Sequence, residues 1–505
     1  MNQDEIFDAI VVGTGISGGW AAKELTEKGL KTLVLERGPM VKHIEDYPTM
    51  NDDPWDYPLK GQLSKEDKKK YHVQKRVNWA PTEDSKHFFV NDLDHPYVET
   101  KRFDWIRGYQ VGGRSLTWGR QSYRWSDIDF DANKKEGVGV DWPVRYKDIS
   151  PWYDKVEKYI GVSGEALGLE VLPDGIFQPA MKLNCVEEDF KKTTSAKFDD
   201  GRLVTIGRTA HITDPKATFE GRGTCQNRDR CWRGCPFGGY FSSNSSTLPA
   251  AERTGNMTLR PNSIVHEIIY DDTTKKATGV RVIDAETNEK IVFKAKVIFL
   301  CASAMASVCI LLQSKSERFP NGLGNDSDAL GRGIMDHHYK LGATAKVDGY
   351  LDKYYKGRRA NGFYIPRFVN LDEKTKREGY LRGFGYQGTA SRGDWSKEIG
   401  ELGYGKDLKE TVLKPGRWTI GVTGFGEFLP YDDNRVTLSP TEKDKWGLPQ
   451  LAFDVEFKEN EYKMREDIKK EIVSMFEAAG FKDVSSYEEA SGPGLGIHEM
   501  GGARM

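Results

Sequence analysis

Residues 6–36 constrain the fold more than any other part of the chain. IFDAIVV at 6–12 is a short, β-branched apolar run and predicts a buried strand. Gly13-Thr-Gly15-Ile16-Ser17-Gly18 follows it; residues 19–28 then read as a helix stopped by Gly29. KTLVL at 31–35 is a second strand, closed by Glu36. Strand, glycine-rich turn, helix and strand make one βαβ unit with a dinucleotide fingerprint at its first turn. Gly13 allows the tight turn, Gly15 lets backbone approach a pyrophosphate, and Gly18 lets helix and strand pack closely. The helix N-terminus then offers free N–H groups and a partial positive charge to phosphate. Glu36, at 18 residues beyond Gly18, can accept hydrogen bonds from ribose hydroxyls. The unit predicts an α/β fold.

At 505 residues the chain exceeds one ordinary core, and two interleaved domains are expected. Its 23 Phe, 22 Tyr and 12 Trp exclude a disordered chain. Lys plus Arg number 74 and Asp plus Glu 76, so a net charge of −2 excludes a global attraction to nucleic acid or an anionic membrane. The longest uncharged run, 297–314, is interrupted by Ala302-Ser303-Ala304 and falls short of the roughly 20 apolar residues of a spanning helix. It predicts a buried strand followed by a helix over 304–312. No basic region precedes the first apolar run, so no secretory signal of the chain's own is expected.

Elsewhere the pattern is coarser. Residues 41–104 show little periodicity and read as an insertion or lid, with KEDKKK at 65–70 a solvated face. A helix is expected within 141–160 after Pro143, and strands over 257–300 with a turn at Asp271-Asp272. Residues 459–479 predict an amphipathic helix burying Ile468, Ile472, Met475, Phe476 and Ala479.

The fingerprint does not separate FAD from NAD. Its place at the N-terminus and the Arg37-Gly38 that follows favour FAD, as does RGYQVGGRSLTWGRQSYRW at 107–125. Taken together, these segments resemble the glucose–methanol–choline (GMC) flavoprotein oxidoreductases. Gly112, Gly113, Ser115, Thr117, Trp118 and Gly119 match that family's Gly-Gly-x-Ser loop, in which bare backbone meets a flat isoalloxazine and hydroxyl and N–H groups reach its edge. Members with covalent flavin carry His in place of Thr117, so the resemblance implies non-covalent FAD. Ser263-Ile264-Val265 resembles the adenine-holding strand, and 296–314 the second signature, with Ala302-Ser303-Ala304 where the family usually has Ala-Gly-Ala. LGRGIMDHH at 330–338 resembles a further family stretch. The implied FAD-binding domain comprises 1–45, 100–130, 205–340 and 490–505, with a cysteine-rich loop at 222–240. A lid and an α+β substrate-binding domain take 46–99, 131–204 and 341–489. The implied cofactor contacts are Gly13, Gly15, Ile16, Ser17, Gly18, Glu36, Arg37, Gly112, Gly113, Ser115, Thr117, Trp118, Val265 and Ala302.

The resemblance also places the catalytic base at His498, in GIHEMGGARM at 496–505. A neutral imidazole titrating near working pH suits removal of a hydroxyl proton while hydride leaves for flavin N5. The family continues for roughly forty residues more, with a second catalytic residue there. The chain is therefore expected to be truncated, with that residue beyond Met505, and no other histidine stands in a matching motif.

Cys225, Cys231 and Cys235-Pro236 have the spacing C-x5-C-x3-C-P. Three thiolates can hold a three-iron–four-sulfur cluster; a zinc knuckle or an unliganded loop are the alternatives. Cys185 is the one candidate for a fourth ligand. Arg222, Arg228, Arg230 and Arg233 are expected to offset cluster charge, and Cys301 and Cys309 to be core residues. With this insert the chain resembles the catalytic subunits of membrane-linked sugar dehydrogenases. That implies oxidation of CH–OH groups of sugars or polyols, electrons leaving through the cluster to cytochrome c, and a small partner subunit bearing the export signal. The place would be periplasmic or at a membrane through that partner, and cytoplasmic without it. An oxygen-using oxidase of the same fold and a flavin-binding component without turnover are the competing readings. The oxidised carbon is not legible.

Overall fold

The computed structural model describes residues 5–77, 79–217, 219–353, 362–393, 405–413 and 416–504. Strand β1 (Ile6–Val12) is flanked on both edges, as its buried Ile and Val residues require. β2 (Thr32–Leu35) and β8 (Lys290–Leu300) pair with it in parallel, and β5 (Met257–Arg260) pairs with β2. β7 (Lys276–Asp284) and β6 (Ser263–Asp271) then add antiparallel strands, giving the order β5-β2-β1-β8-β7-β6. The turn expected at Asp271-Asp272 joins β6 to β7.

The first helix spans Ile16–Glu27, three residues earlier than expected. Gly18 and Gly19 lower helix propensity, but tight packing requires them. A Cβ on Gly19 would fall within 3.0 Å of Ser243 Oγ and closer still to Thr247 of the neighbouring helix Thr247–Arg253. The expectation of a fully buried strand before residue 301 needs correction. Val297 and Phe299 of β8 are 50 % and 37 % exposed. They share a face with Val11 and Val34, and helix Ile16–Glu27 reaches β8 without covering these two side chains.

A second sheet has the order β15 (Lys482–Glu488), β9 (Leu341–Val347), β12 (Trp418–Gly426), β11 (Phe384–Arg392), β10 (Phe363–Ile365) and β4 (Thr205–Ile206), antiparallel throughout. β12 shows why. Trp418, Ile420 and Val422 point into a core with helices Cys185–Lys197 and Glu459–Ala478, while Gly421 and Thr423 line a cavity on the opposite face. Ile468, Ile472, Met475 and Phe476 are buried as expected. The two large sheets have separate cores. β13 (Arg435–Lys443), β14 (Pro449–Asp454) and β3 (Val98–Glu99) form a small third sheet that ties down the end of the 41–104 insertion. Lys65–Lys70 forms a short helix with no buried residue, the solvated face expected. Among the described residues no helix is long and apolar enough to cross a membrane.

Candidate active site

One cavity of about 1850 Å³ lies between the open face of the second sheet and the ends of β1, β2 and β8. Gly13 turns the chain at φ +97°, and a Cβ there would sit 2.5 Å from the Cys301 carbonyl oxygen. Gly15 meets nothing within 4 Å in its Cβ direction, so its backbone stands open to the cavity. Ile16, Ser17, Glu36, Arg37, Gly113, Ser115, Thr117, Trp118, Val265 and Ala302 line the same cavity. Gly18 and Gly112 do not: Gly18 backs onto Gly13, and Gly112, at φ +91°, onto the Asn244 side chain. They shape the cradle from behind.

Glu36 is buried, with Thr14 and Gly38 backbone N–H groups donating to it at 3.1 Å each, and the Thr14 hydroxyl donating as well. Burial pushes its carboxyl up while these donors hold it down. Thr14 Oγ1 in turn accepts from Gly112 N at 2.9 Å, so this residue ties the 107–125 loop to the nucleotide cradle. Nothing in the fingerprint singles Thr14 out, because it is a variable position there. Ser115, on the cavity wall, also holds the loop together. Its Oγ donates to Gly112 O at 2.6 Å and accepts from Ser243 N at 3.0 Å, which spends it on the loop's shape. Arg37 stacks between Tyr109 and Trp446, with ring centres 5.0 and 5.1 Å away.

Ser303 stands at φ 73°, ψ 165° on the cavity wall, a backbone region that belongs almost entirely to glycine. The Ala-Ser-Ala departure therefore stores strain where the wall meets helix Ala304–Gln313. Ser303→Gly is expected to raise the unfolding free energy of the cofactor-free chain by about 1 kcal/mol, the strain relieved less the entropy cost of glycine. Urea melts of the two chains check this.

His498 opens onto the cavity although protein surrounds it. Burial, then His337 and Arg114, push its imidazole down to about 3. Asp336 fixes the loop that carries it. Gly494 and Gly496 N–H donate to Asp336 Oδ2 at 2.8 Å each, and His498 N–H to Oδ1 at 3.0 Å. Burial, with Glu499 nearby, pushes the Asp336 carboxyl up to about 7 against those donors. Ile497 takes φ 66°, an uncommon value for a β-branched residue, and its carbonyl accepts from Arg114, which also pairs with Glu499 at 2.8 Å. Next to this loop stands His337, its ring centre 5.0 Å from that of His498 and perpendicular to it. His337 Nδ1 lies 3.3 Å from Gly426 O, an arrangement that leaves Nε2 as the free acceptor. Sequence reasoning passed over His337 because its motif carried no catalytic role. Only folding sets residues 337 and 498 side by side. Further along the cavity, Tyr123 stacks on Tyr364 at 4.1 Å, Gln121 bonds Gln387 at 2.7 Å, and Arg367 pairs with Glu427 at 2.9 Å.

Cys225, Cys231 and Cys235 line one small cavity, none of them in a disulfide. Among the described residues no three His, Cys, Asp or Glu side chains converge closely enough to hold a single metal ion. Cys185 lies apart from them, at the start of helix Cys185–Lys197 against the second core, so it cannot be their fourth partner. The flanking arginines are committed elsewhere. Arg228 and Arg230 donate to Met50 O and Asn51 O at 2.7 and 2.9 Å, Arg233 to Asp52 O at 2.8 Å, and Arg222 to Ile160 O at 2.8 Å. They fasten the cysteine loop to the insertion and the body; Arg230 and Arg233 also pair with Asp53 and Asp84, while the Arg222 charge acts on Cys235. Trp232, next to Cys231, lines the large cavity and stacks on Trp79 at 4.2 Å.

Residues 215–339 match the family model described as GMC oxidoreductase. The chain is 27 % identical over 514 residues to 2-methyl-1,2-propanediol dehydrogenase of Mycolicibacterium austroafricanum, covering 99 % of this chain and 85 % of that one. It is 25 % identical over 465 residues to the fructose dehydrogenase large subunit of Gluconobacter japonicus, covering 89 % and 79 %. Against the gluconate 2-dehydrogenase flavoprotein of Pantoea cypripedii the identity is 24 % over 551 residues, covering 100 % and 86 %. The crystal structure of pyridoxine 4-oxidase from Mesorbium loti shares the fold, with a TM-score of 0.54 at 14 % identity over 94 % of this chain and 81 % of that one. Relatives aligned along nearly the whole chain, the shared fold and the family match lead to one assignment: residues 215–339 are a GMC oxidoreductase domain, and the chain is a GMC-type flavin-dependent dehydrogenase of CH–OH donors.

Proposed function

We propose that this enzyme oxidises a CH–OH group of a sugar or related polyol with non-covalent FAD. We further propose that its electrons leave through an iron–sulfur cluster on Cys225, Cys231 and Cys235 to an external acceptor such as cytochrome c. The observation that carries the first half is the meeting of two imidazoles, His498 and His337, on the wall of the cavity that the nucleotide cradle opens into. The cradle fits FAD: an open Gly15 backbone for the pyrophosphate, the Glu36 carboxylate for ribose, and a cavity large enough for both cofactor and substrate. FAD bound there supplies the two-electron acceptor for a hydride leaving carbon. The chain's own part is to hold the alcohol and take its proton. His337 Nε2 can accept from a second hydroxyl of the polyol, and His498 removes the proton of the reacting hydroxyl as the C–H bond breaks. The stacked tyrosines, paired glutamines and Arg367–Glu427 offer apolar faces and alternating donors and acceptors, which suit a polyhydroxylated substrate.

For the second half, three thiols outside any disulfide around one cavity are the donor set a cluster takes. In a cluster each thiolate binds its own iron, so convergence on one point is not needed. Such a group would supply a one-electron exit, a reading supported by Trp232, next to Cys231, lining the large cavity. A small partner subunit, and a periplasmic or membrane-bound place through it, belong to the same reading.

The test is anaerobic. Substrate should bleach the flavin, and metal analysis should find iron. Stoichiometric peroxide from an iron-free protein would point to an oxidase with an unliganded loop; a flavin that no alcohol bleaches would point to a component without turnover.

The titration of His498 has a kinetic consequence. Its folded value, about 3, lies below the ordinary 6.5, so the imidazole stays a free base throughout the interval between them. The acid-side fall of kcat/KM is therefore expected well below pH 6.5. Over the same window the unfolded chain takes up a proton that the folded chain refuses, so stability falls as pH drops from 6.5 towards 3. A pH profile with its acid limb at the ordinary histidine value would assign the base elsewhere.

A further inference from the structure

We propose that the turn joining β13 to β14 is a clasp over the adenosine end of the FAD site, with Trp446 and Asp444 of the turn gripping Arg37 at the end of β2. The proposal rests on the FAD reading above and extends the site to residues 444–448, which the dinucleotide fingerprint does not reach. With pyrophosphate at Gly15 and ribose at Glu36, the rest of the nucleotide runs past the end of β2. There the cavity wall takes in Val265 and Gln313 as well as Arg37, Asp444 and Leu448. The Asp444 carboxylate also acts on the imidazole of His266, next to Val265.

One carboxylate both folds the turn and faces its partner. Asp444 Oδ1 accepts from the Trp446 and Leu448 N–H groups at 3.0 Å each, and Gly447 takes φ 78°. The other oxygen, Oδ2, stands 3.5 Å from Arg37 Nη2. Lys445 and Gly447 are exposed, yet Trp446 between them is half-buried. Its ring centre lies 5.1 Å from the Arg37 guanidinium and 5.5 Å from the His95 ring, which stacks on it. Tyr109, from the glycine-loop segment, holds the same guanidinium at 5.0 Å.

Magnitudes decide which contact does the holding. A part-exposed ion pair as long as 3.5 Å contributes little, whereas a desolvated guanidinium–aromatic contact is worth about 5- to 30-fold in an equilibrium constant. Arg37 Nε is buried without a partner, a donor that an adenosine oxygen or nitrogen would satisfy. The hairpin is rooted away from the nucleotide sheet: Val436, Leu451 and Phe453 pack with Met305 and Val308 in a core separate from that of β1 and β2. The grip on Arg37 therefore draws this hairpin onto the nucleotide cradle, and the adenosine leaves when the grip opens.

The experiment uses the full chain with its FAD. Hydrogen exchange is followed over 444–450 with the flavin bound and after its removal, with helix Glu459–Ala478 of the second core as reference. Slower exchange at Trp446, Gly447 and Leu448 is expected with FAD bound, and no change in the reference helix. Release of FAD on dilution is then timed by the recovery of its fluorescence. Trp446→Ala should release FAD about 5- to 30-fold faster than the parent, and Trp446→Phe should recover most of that loss. Asp444→Asn keeps an acceptor for the turn but loses the charge facing Arg37, and should speed release by about 1.5- to 5-fold. Melting temperature reports folding in each variant, and the exchange of the parent protein needs none of them. Equal exchange with and without FAD, protection spread evenly over the reference helix, or parental release from Trp446→Ala each overturns the clasp while the FAD reading stands. A protein that holds no FAD overturns both.

Discussion

With His498 replaced by asparagine, anaerobic bleaching of the flavin by substrate is expected to slow by about 10²–10⁴-fold, the usual contribution of a positioned base. Asparagine fills similar space, and the loop hydrogen bond from residue 498 to Asp336 comes from the backbone. FAD content and melting temperature should therefore stay close to those of the parent. The loss should appear in the reductive half-reaction and leave re-oxidation by an artificial acceptor unchanged, because the imidazole acts only on the alcohol. His337 offers the internal control. If it accepts from a second substrate hydroxyl, His337→Ala should raise KM as well as lower kcat, whereas His498→Asn should fall mainly on kcat. Bleaching slowed less than threefold by His498→Asn would move the base to His337.

Asp336→Asn is the second large effect. The carboxylate accepts three backbone N–H groups from the loop that presents His498, and an amide offers one acceptor oxygen in place of two. Each lost hydrogen bond to a charged group costs about 1.5–3 kcal/mol, so a destabilisation of about 2–5 kcal/mol is expected in denaturant melts. The released loop also carries strain at Ile497, and an imidazole displaced by about 1 Å loses of the order of 10²-fold in kcat. Gly496→Ala probes the same contact from the other side, since its Cβ would lie 2.7 Å from Asp336 Oδ1 and 2.6 Å from His337 O. If the loop is one unit, the double variant should cost less than the sum of the single ones. Additive losses would show that Asp336 acts on stability alone.

What could be read from the residues in order was whatever neighbours along the chain dictate. The βαβ fingerprint, the hairpin strands after residue 257, the helix over 459–478 and the glycine loop near 112 each depend on local periodicity or on backbone freedom at a named position. His498 was legible for the same reason, since its signature is contiguous. The pairs that make the site are not contiguous. His337 meets His498 across 161 residues, Thr14 joins Gly112 across 98, and Arg37 meets Asp444 across 407. Their side chains carry no pattern in the sequence, and the same residue types elsewhere simply face solvent. Strand order, the closure of the loop by a buried carboxylate and the turn at 444–448 bring them together, and these follow from long-range packing that no short window of residues encodes.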